Sequence, residues 1–394
     1  MTESSKDNLP ETEAARSTAP SRQISTKRKI VYSSLVVIIF IAIPELFLRI
    51  TEKPNATSSE PNVGTRQFVS WLSNLSVGLS GKEQLYVEDE SLIWRLRAGV
   101  KIDSFNFHHA PNGEEQAIQI TVNDQGYRGA KGSQKRDVLR VLCMGDSNFF
   151  GYPLDDKAVF PQALQRELEQ QYPDREIEVI NGGCPGYTIV QGLAWFESTF
   201  EQYEFDFLLL SYLNNDAWRQ PYSDRQLMQQ GIREDGAFLK AASQLAVVRW
   251  LRARSDVSPE DYVSRVSLED FEQHYRNFLK RASDRDAKVI IVDHRAYPEY
   301  EPFSRVLSSL VSSNIKYIPV REQLTATLKG PESLQPYKAM MPAIEKRWGK
   351  AALAERPYLW FYAEFYPEHL NELGAQWLGK NVAREIQSYE LTAE

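Results

Sequence analysis

A serine, an asparagine and a histidine in this chain are residue types that acyl transfer uses. Ser147 comes directly after the apolar run LRVLCMG and Asp146. Asn215 follows the run FDFLLLSY, and His369 stands near the start of the last helical segment. A serine hydroxyl becomes a nucleophile when an imidazole removes its proton, and amide or backbone N–H groups stabilise the negative oxygen that then forms. We therefore take these residues as the candidate site.

The elements that must position them show a repeating pattern. From Asp137 onward, short apolar runs bounded by Gly, Asn and Asp alternate with amphipathic helical segments. This alternation predicts an α/β domain over residues 137–390, with a parallel sheet covered by helices on both faces and a helical, polar insertion at 217–285. Ligands of such sheets bind beyond the carboxyl ends of the strands, where Ser147 and Asn215 are expected.

Two segments lie directly before this domain. Residues 85–136 contain short alternating runs with turns at Gly126 and Gly129, which predicts a small β-rich lead-in. Residues 51–84 are dominated at first by Pro, Asn, Ser and Gly and are interpreted as a stalk or linker.

The N-terminal part predicts a membrane anchor. Residues 30–50 are mostly apolar and match the roughly 20 residues that a helix needs to span a bilayer. Residues 1–29 have the composition of a disordered tail and end in a basic cluster, which the positive-inside rule keeps in the cytoplasm. We expect a single-pass protein whose catalytic domain is extracytoplasmic, in a bacterial periplasm. A cleaved signal peptide is the alternative interpretation.

Composition excludes several function classes. The formal net charge of -7 and the scattered basic residues argue against nucleic acid as a partner. Cys143 and Cys184 have no zinc-ligand spacing, so we predict neither a metal nor a cofactor. Both cysteines are interpreted as small buried apolar residues, with a single disulfide as the alternative.

Four blocks around the candidate residues resemble the SGNH, or GDSL-type, hydrolases. They are Gly145-Asp146-Ser147, Gly183, Asn215 and His369, and the resemblance spans Leu139 to Ile386. The lead-in TVNDQGYRG is similar to that of membrane-anchored bacterial members. The resemblance implies a flavodoxin-like three-layer sandwich in which Ser147 is the nucleophile and His369 the base. It also implies an oxyanion hole made by the N–H groups of Ser147 and Gly183 and the side-chain amide of Asn215.

Two positions depart from the family pattern. Tyr366 stands three residues before His369, where the family usually has the aspartate of the triad, and Leu213 replaces a glycine of the third block. The acid orients the imidazole and stabilises its charged form, so its loss should lower the rate unless another group serves. The possible acid partners are Glu364, Glu368 and Asp293, and a backbone carbonyl is a further possibility. The pair Asp293-His294 ends the fourth strand and is kept in reserve.

Three functions remain open. The first is a serine esterase acting on O-acyl groups of an envelope glycan, polymer or lipid. The second is a polysaccharide O-acetyltransferase that uses the same residues with a sugar hydroxyl in place of water. The third is a catalytically dead binding or scaffold protein, which the replacement of the triad acid by Tyr366 favours. Taken singly, Ser147 could also cap a helix and Asn215 could form a turn.

Overall fold

A computed structural model of the protein describes Lys27 and residues 85–107, 116–133, 135, 137–230, 258–328, 334–363 and 366–390. The predicted tail, transmembrane helix and stalk, residues 1–84, lie outside the described residues apart from Lys27. Within the described ranges, no helix combines the length and the apolarity that crossing a bilayer requires. The elements below belong to the compact unit formed by Ser59–Glu234 and Asp256–Glu394.

From Val138 onward, strands and helices alternate along the described chain. The strands are β1 (Tyr86–Asp89), β2 (Ile93–Leu96), β3 (Lys101–Phe107), β4 (Gln116–Thr121), β5 (Val138–Gly145), β6 (Glu176–Gly183), β7 (Phe207–Ser211), β8 (Arg219–Gln220), β9 (Val263–Ser264), β10 (Lys288–Asp293), β11 (Ile315–Pro319), β12 (Tyr362–Ala363) and β13 (Tyr366–Leu370). The α-helices are α1 (Ser147–Phe150), α2 (Phe160–Gln171), α3 (Ile189–Trp195), α4 (Asn214–Ala217), α5 (Asp224–Gln230), α6 (Leu268–Ser283), α7 (Glu301–Ser309), α8 (Val320–Thr327), α9 (Met341–Trp348), α10 (Lys350–Glu355) and α11 (Glu372–Glu390).

The central sheet has the order β6-β5-β7-β10-β11, and every neighbouring pair in it is parallel. In chain order this is second, first, third, fourth, fifth, which is the flavodoxin-like arrangement. The predicted α/β fold with a parallel sheet is therefore confirmed. The chain reverses its direction of winding between β5 and β7, and Ser147 and Asn215 follow these two strands. The candidate site thus lies at the switch point of the sheet.

Alternating side chains of β5 enter two separate cores, one on each face of the sheet. Leu142 and Met144 pack in the core that α3 and α6 cover, whereas Val141 and Cys143 pack in the core that α2 and α11 cover. Helix α6, which the sequence placed in a polar insertion, therefore covers the sheet. Cys143 and Cys184 are buried and free, in agreement with their interpretation as small apolar residues.

The lead-in strands form two antiparallel hairpins, β1–β2 and β3–β4. Trp94 on β2 is completely buried, and its indole N–H donates to the carbonyl of Pro185 at 3.3 Å. The hydroxyl of Tyr187 donates in return to the carbonyl of Trp94 at 2.7 Å. The first hairpin therefore packs against the loop that leaves β6, at the same edge of the sheet as Ser147.

Candidate active site

Ser147 occupies the first turn of α1, directly beyond the carboxyl end of β5. Asp146 caps this helix, because its carboxylate accepts from the backbone N–H of Asn148 at 2.9 Å. The serine is therefore released from the capping role that Ser residues often have at such a position. Its side chain is half-buried, and its hydroxyl faces the imidazole of His369.

The Oγ of Ser147 and the Nε2 of His369 are 2.6 Å apart, although 222 positions separate the two residues in the chain. This is the distance at which an imidazole can take a hydroxyl proton. His369 is buried, and burial lowers its pKa from 6.5 to about 3. The imidazole is therefore neutral at physiological pH, which is the form that a general base needs.

His369 lies on β13 and not at the start of the last helix, where the sequence placed it. The helix α11 begins three residues later, and Asn371 accepts from the N–H of Gly374 at 3.0 Å in the manner of a cap. The backbone N–H of Asn371 is also bound to the carbonyl of Phe361. These bonds hold the chain extended through His369, so the strand and not the helix sets the direction of its imidazole.

Gly183 ends β6 beside Gly145 of β5. A Cβ at Gly183 would be 2.1 Å from the backbone nitrogen of Phe150, so only glycine allows α1 to approach this closely. The N–H of Gly183 donates to the side-chain oxygen of Asn181 at 3.0 Å. Its contribution to an oxyanion hole stays a prediction.

Asn215 connects the end of β7 to the segment that carries the serine. Its amide nitrogen donates to the carboxylate of Asp146 at 3.2 Å and to the carbonyl of Tyr187 at 3.1 Å. The structure thus brings three of the predicted blocks to one edge of the sheet: Asp146 beside Ser147, the loop after β6, and Asn215. The role of the Asn215 amide in stabilising an oxyanion also stays a prediction.

The candidate acid partners have different positions. Glu364 lies outside the described residues, and Glu368 lies on β13 next to His369. Asp293 ends β10, and its carboxylate accepts from the hydroxyl of Tyr317 at 2.6 Å and from the N–H of Arg295 at 2.7 Å. Burial, together with the charge of Asp293, raises the pKa of Tyr317. Two donors therefore bind the carboxylate of Asp293, one from the neighbouring strand β11 and one from the backbone two residues later.

His294, which the sequence analysis kept in reserve, lies close to His369. Burial first, and the neighbouring His369 second, lower its pKa from 6.5 to about 3. Its ring meets the ring of Phe149 edge-on, with centroids 6.3 Å apart. Within the part of the chain that the structure describes, neither ring nitrogen has a hydrogen-bond partner. In the sequence, His294 could be identified as a candidate because it comes directly after the buried strand β10.

Sequence reasoning missed a buried ion pair that supports the loop after β6. The guanidinium of Arg265 binds the carboxylate of Asp224 through two N–H···O bonds of 2.9 Å, and both side chains are almost fully buried. Arg265 also donates to the carbonyl of Gly186 at 2.7 Å. Both residues come from a region interpreted as a polar insertion, and nothing in their local sequence marks them as a pair.

In the described ranges, no group of three or more His, Cys, Asp or Glu residues is arranged to hold a metal ion. The arrangement of Ser147 and His369 can perform nucleophilic acyl transfer with side chains that the protein itself provides.

No family model and no curated protein matches the chain. Its fold is similar to that of solved structures with 18% identity or less. One is the SGNH-hydrolase family esterase AlinE4, with 18% identity, a TM-score of 0.32, and coverage of 47% of this chain and 78% of that one. A second is a lipase/acylhydrolase from Enterococcus faecalis, with 15% identity, a TM-score of 0.38, and coverage of 64% and 96%.

A third similar structure is a two-domain esterase active on acetylated mannans, with 13% identity, a TM-score of 0.35, and coverage of 64% of this chain and 49% of that one. These structures are of the type that the sequence motifs resemble. With TM-scores below 0.5 and identities of 18% or less, the similarity is one of fold alone.

Proposed function

We propose that this protein is an SGNH-type serine esterase, with Ser147 as its nucleophile and His369 as its general base. One observation carries the proposal: the 2.6 Å contact between the Oγ of Ser147 and the Nε2 of His369. The serine follows a strand in the middle of the sheet, and the histidine arrives from the last part of the described chain. A contact between a nucleophile and a base at the switch point of an α/β sheet favours catalysis over a capping role.

In the first half of the reaction, the Oγ of Ser147 attacks the ester carbonyl while its proton passes to the Nε2 of His369. The electron pair of the carbonyl moves onto oxygen. The tetrahedral intermediate collapses when the imidazolium protonates the departing alcohol, which leaves an acyl-serine. Water then repeats the sequence with His369 as base, releasing the acid and restoring the serine.

The negative oxygen of the intermediate needs donors that are already in place. The N–H of Ser147, at the start of α1, and the amide of Asn215, bound to Asp146, are the proposed donors. Gly183 is the third proposed donor. Its bond to Asn181 must open, and so must one of the two bonds that the Asn215 amide makes to Asp146 and Tyr187. Burial lowers the pKa of His369 to about 3, so its imidazole is neutral and its Nε2 can accept the proton of Ser147.

We place the O-acyl groups of an envelope glycan, polymer or lipid as the substrate class, with the domain held near a membrane surface by the N-terminal segment. The exposed aromatic rings that follow Asn215 support this class, because such rings stack on sugars and acyl chains. They are Trp218, 49% exposed, and Tyr222, 37% exposed. If a glycan hydroxyl replaces water, the same residues perform O-acetyl transfer.

The test of the proposal is labelling by a fluorophosphonate probe. Purified protein, Ser147→Ala and His369→Ala are compared with His274→Ala, a control that removes an imidazole bound to the carbonyl of Asp270 on its own helix. We expect labelling of the wild type and of His274→Ala, none of Ser147→Ala, and strongly slowed labelling of His369→Ala. Equal labelling of Ser147→Ala would overturn the proposal.

A second measurement decides whether water or a glycan hydroxyl accepts the acyl group. Release of p-nitrophenol from p-nitrophenyl acetate is followed with and without an added glycan, and acetylated glycan is sought by mass spectrometry. Turnover unaffected by the glycan indicates hydrolysis. Acetyl groups that appear on the glycan indicate the transferase. A scaffold protein would show neither labelling nor turnover.

A further inference from the structure

The lead-in motif TVNDQGYRG contains an arginine whose guanidinium is turned into the protein. Arg128 is 1% exposed, and its Nε donates to the carboxylate of Asp156 at 2.8 Å. A fully buried arginine needs acceptors for all of its N–H groups, and most of those available here are backbone carbonyls. The positions of these carbonyls relate Arg128 to the site.

Three of the carbonyls belong to the segment that follows the nucleophile. Arg128 Nη1 donates to the carbonyl of Phe150 at 3.0 Å and to that of Gly151 at 3.3 Å. Its Nη2 donates to the carbonyl of Leu154 at 2.6 Å. Phe150 is the last residue of α1, whose first residue is Ser147. Carbonyls at the end of a helix lack partners within the helix, and here one guanidinium supplies them.

The segment held in this way also contacts the base. Tyr152 lies between the carbonyls that Arg128 binds, and its ring meets the imidazole of His369 edge-on with centroids 5.6 Å apart. Arg128 therefore holds the end of the helix that carries the nucleophile and also the aromatic ring that packs on the base.

The lead-in strand β4 reinforces the same segment. The N–H of Gln119 donates to the carboxylate of Asp155 at 3.0 Å, and the N–H of Thr121 donates to that of Asp156 at 3.2 Å. The Nη2 of Arg128 also donates to the carbonyl of Gln119 at 3.1 Å, so the guanidinium lies between β4 and the loop. The lead-in is thereby joined to the catalytic domain through residues 150–156.

We propose that Arg128 is a positioning residue of the esterase, which holds the helix of Ser147 and the ring of Tyr152 so that Ser147 and His369 stay in contact. The inference rests on the proposed function and adds a role for the lead-in. A lysine cannot replace this arginine, because an ammonium group has three donors and lacks the planar fork that reaches several carbonyls together.

Arg140 offers a matched control at the other end of the sheet. Its side chain is also almost fully buried, 3% exposed, and binds Glu178 together with the carbonyls of Glu204 and Ser133. It lies near the start of β5, whereas Ser147 follows the end of that strand. Arg140→Lys therefore disturbs a comparable network without touching the site.

The experiment compares Arg128→Lys and Arg140→Lys in the full chain. The fluorophosphonate labelling rate is measured per folded molecule, with the folded fraction taken from circular dichroism. We expect Arg128→Lys to lose about 100-fold in rate, the effect of a misplacement of about 1 Å, while Arg140→Lys labels as the wild type does. Equal rates in the two variants, or equal losses, would overturn the proposal. A wild type that does not label would instead overturn the proposed function.

A second readout separates positioning from stability. Tyr152, His294 and the hydroxyl of Ser147 surround the imidazole of His369. If Arg128→Lys releases Tyr152, water reaches His369, and the acid limb of the pH profile of kcat/KM moves up toward 6.5, the ordinary pKa of histidine. Tyr152→Leu should move it in the same direction. An unchanged acid limb in both variants would overturn the proposal that Arg128 holds Tyr152 against His369.

Discussion

The two ends of the strand β5 are built differently. At its amino end, Arg140 binds Glu178, and the carboxylate of Asp206 accepts from the N–H of Arg140 at 2.8 Å. At the carboxyl end, the buried ring nitrogens of His294 and the side-chain oxygen of Asn148 have no hydrogen-bond partner among the described residues. Both ends bury polar groups. Of the groups named here, those at the amino end have hydrogen-bond partners, and those at the carboxyl end do not.

This difference separates residues that stabilise the fold from residues near the candidate site. A buried polar group without a partner costs free energy, so proteins keep few of them, and those that remain need an explanation. Beyond the carboxyl end of β5, His294 lies close to His369, and Asn148 is the residue directly after Ser147. At the amino end, by contrast, Arg140 is paired with Glu178 and with Asp206. Substitution of a proposed oxyanion donor such as Asn215 at the carboxyl end should therefore change catalysis, and substitution at the amino end should change the free energy of unfolding.

The largest effect within this comparison is expected at Asn215. Asn215→Ala should lower kcat by about 100-fold to 1,000-fold with little change in KM, because one donor to the oxyanion is lost. The measurement is steady-state turnover of p-nitrophenyl acetate. The neighbouring Asn214 is the control, since it binds the backbone of His294 and Ala296. If Asn214→Ala lowers kcat as much as Asn215→Ala, the amide of Asn215 has no special role.

At the amino end, Glu178→Ala should lower the free energy of unfolding by about 3 kcal/mol, because it leaves the buried guanidinium of Arg140 without its charged partner. Glu178 also accepts from the N–H of Ser133 at 2.6 Å, so a second bond is lost. Urea denaturation gives the value. Turnover per folded molecule should stay at the wild-type level, and a fall in kcat would contradict the separation of the two ends.

A third effect depends on pH. Burial lowers the pKa values of His294 and His369 to about 3, so both are neutral in the folded protein, whereas in the unfolded chain they gain protons below about 6.5. Their contribution to stability is complete above pH 6.5 and is lost as the pH falls toward 3. Each histidine should add about 1.4 kcal/mol per pH unit to this loss.

His294→Leu should remove one of these two contributions. The free energy of unfolding, measured by urea denaturation between pH 6.5 and 4, should then fall with a slope shallower by about 1.4 kcal/mol per pH unit. At pH 8 the variant should be at least as stable as the wild type, because it no longer buries two unpaired nitrogens. Identical slopes in the two proteins would show that His294 is not buried as a neutral group.

The local sequence was sufficient to predict the sheet and the position of Ser147 after its first strand. Short continuous apolar runs such as residues 139–145, each followed by a helical segment, are typical of strands buried on both faces. The order of these elements leaves few possible topologies, since parallel connections are right-handed. Ser147 and Asn215 follow two of these strands, so their place at the carboxyl edge could be predicted.

The tertiary structure alone decided which distant residues meet. The contact of Ser147 with His369, the pair of Asp224 and Arg265, and the insertion of Arg128 beneath α1 all join segments far apart in the chain. The spacing of apolar residues shows which face of a single helix or strand is buried. It does not show which distant segment packs on that face. Long-range contacts depend on how the cores on the two faces of the sheet pack, which is a property of the whole chain.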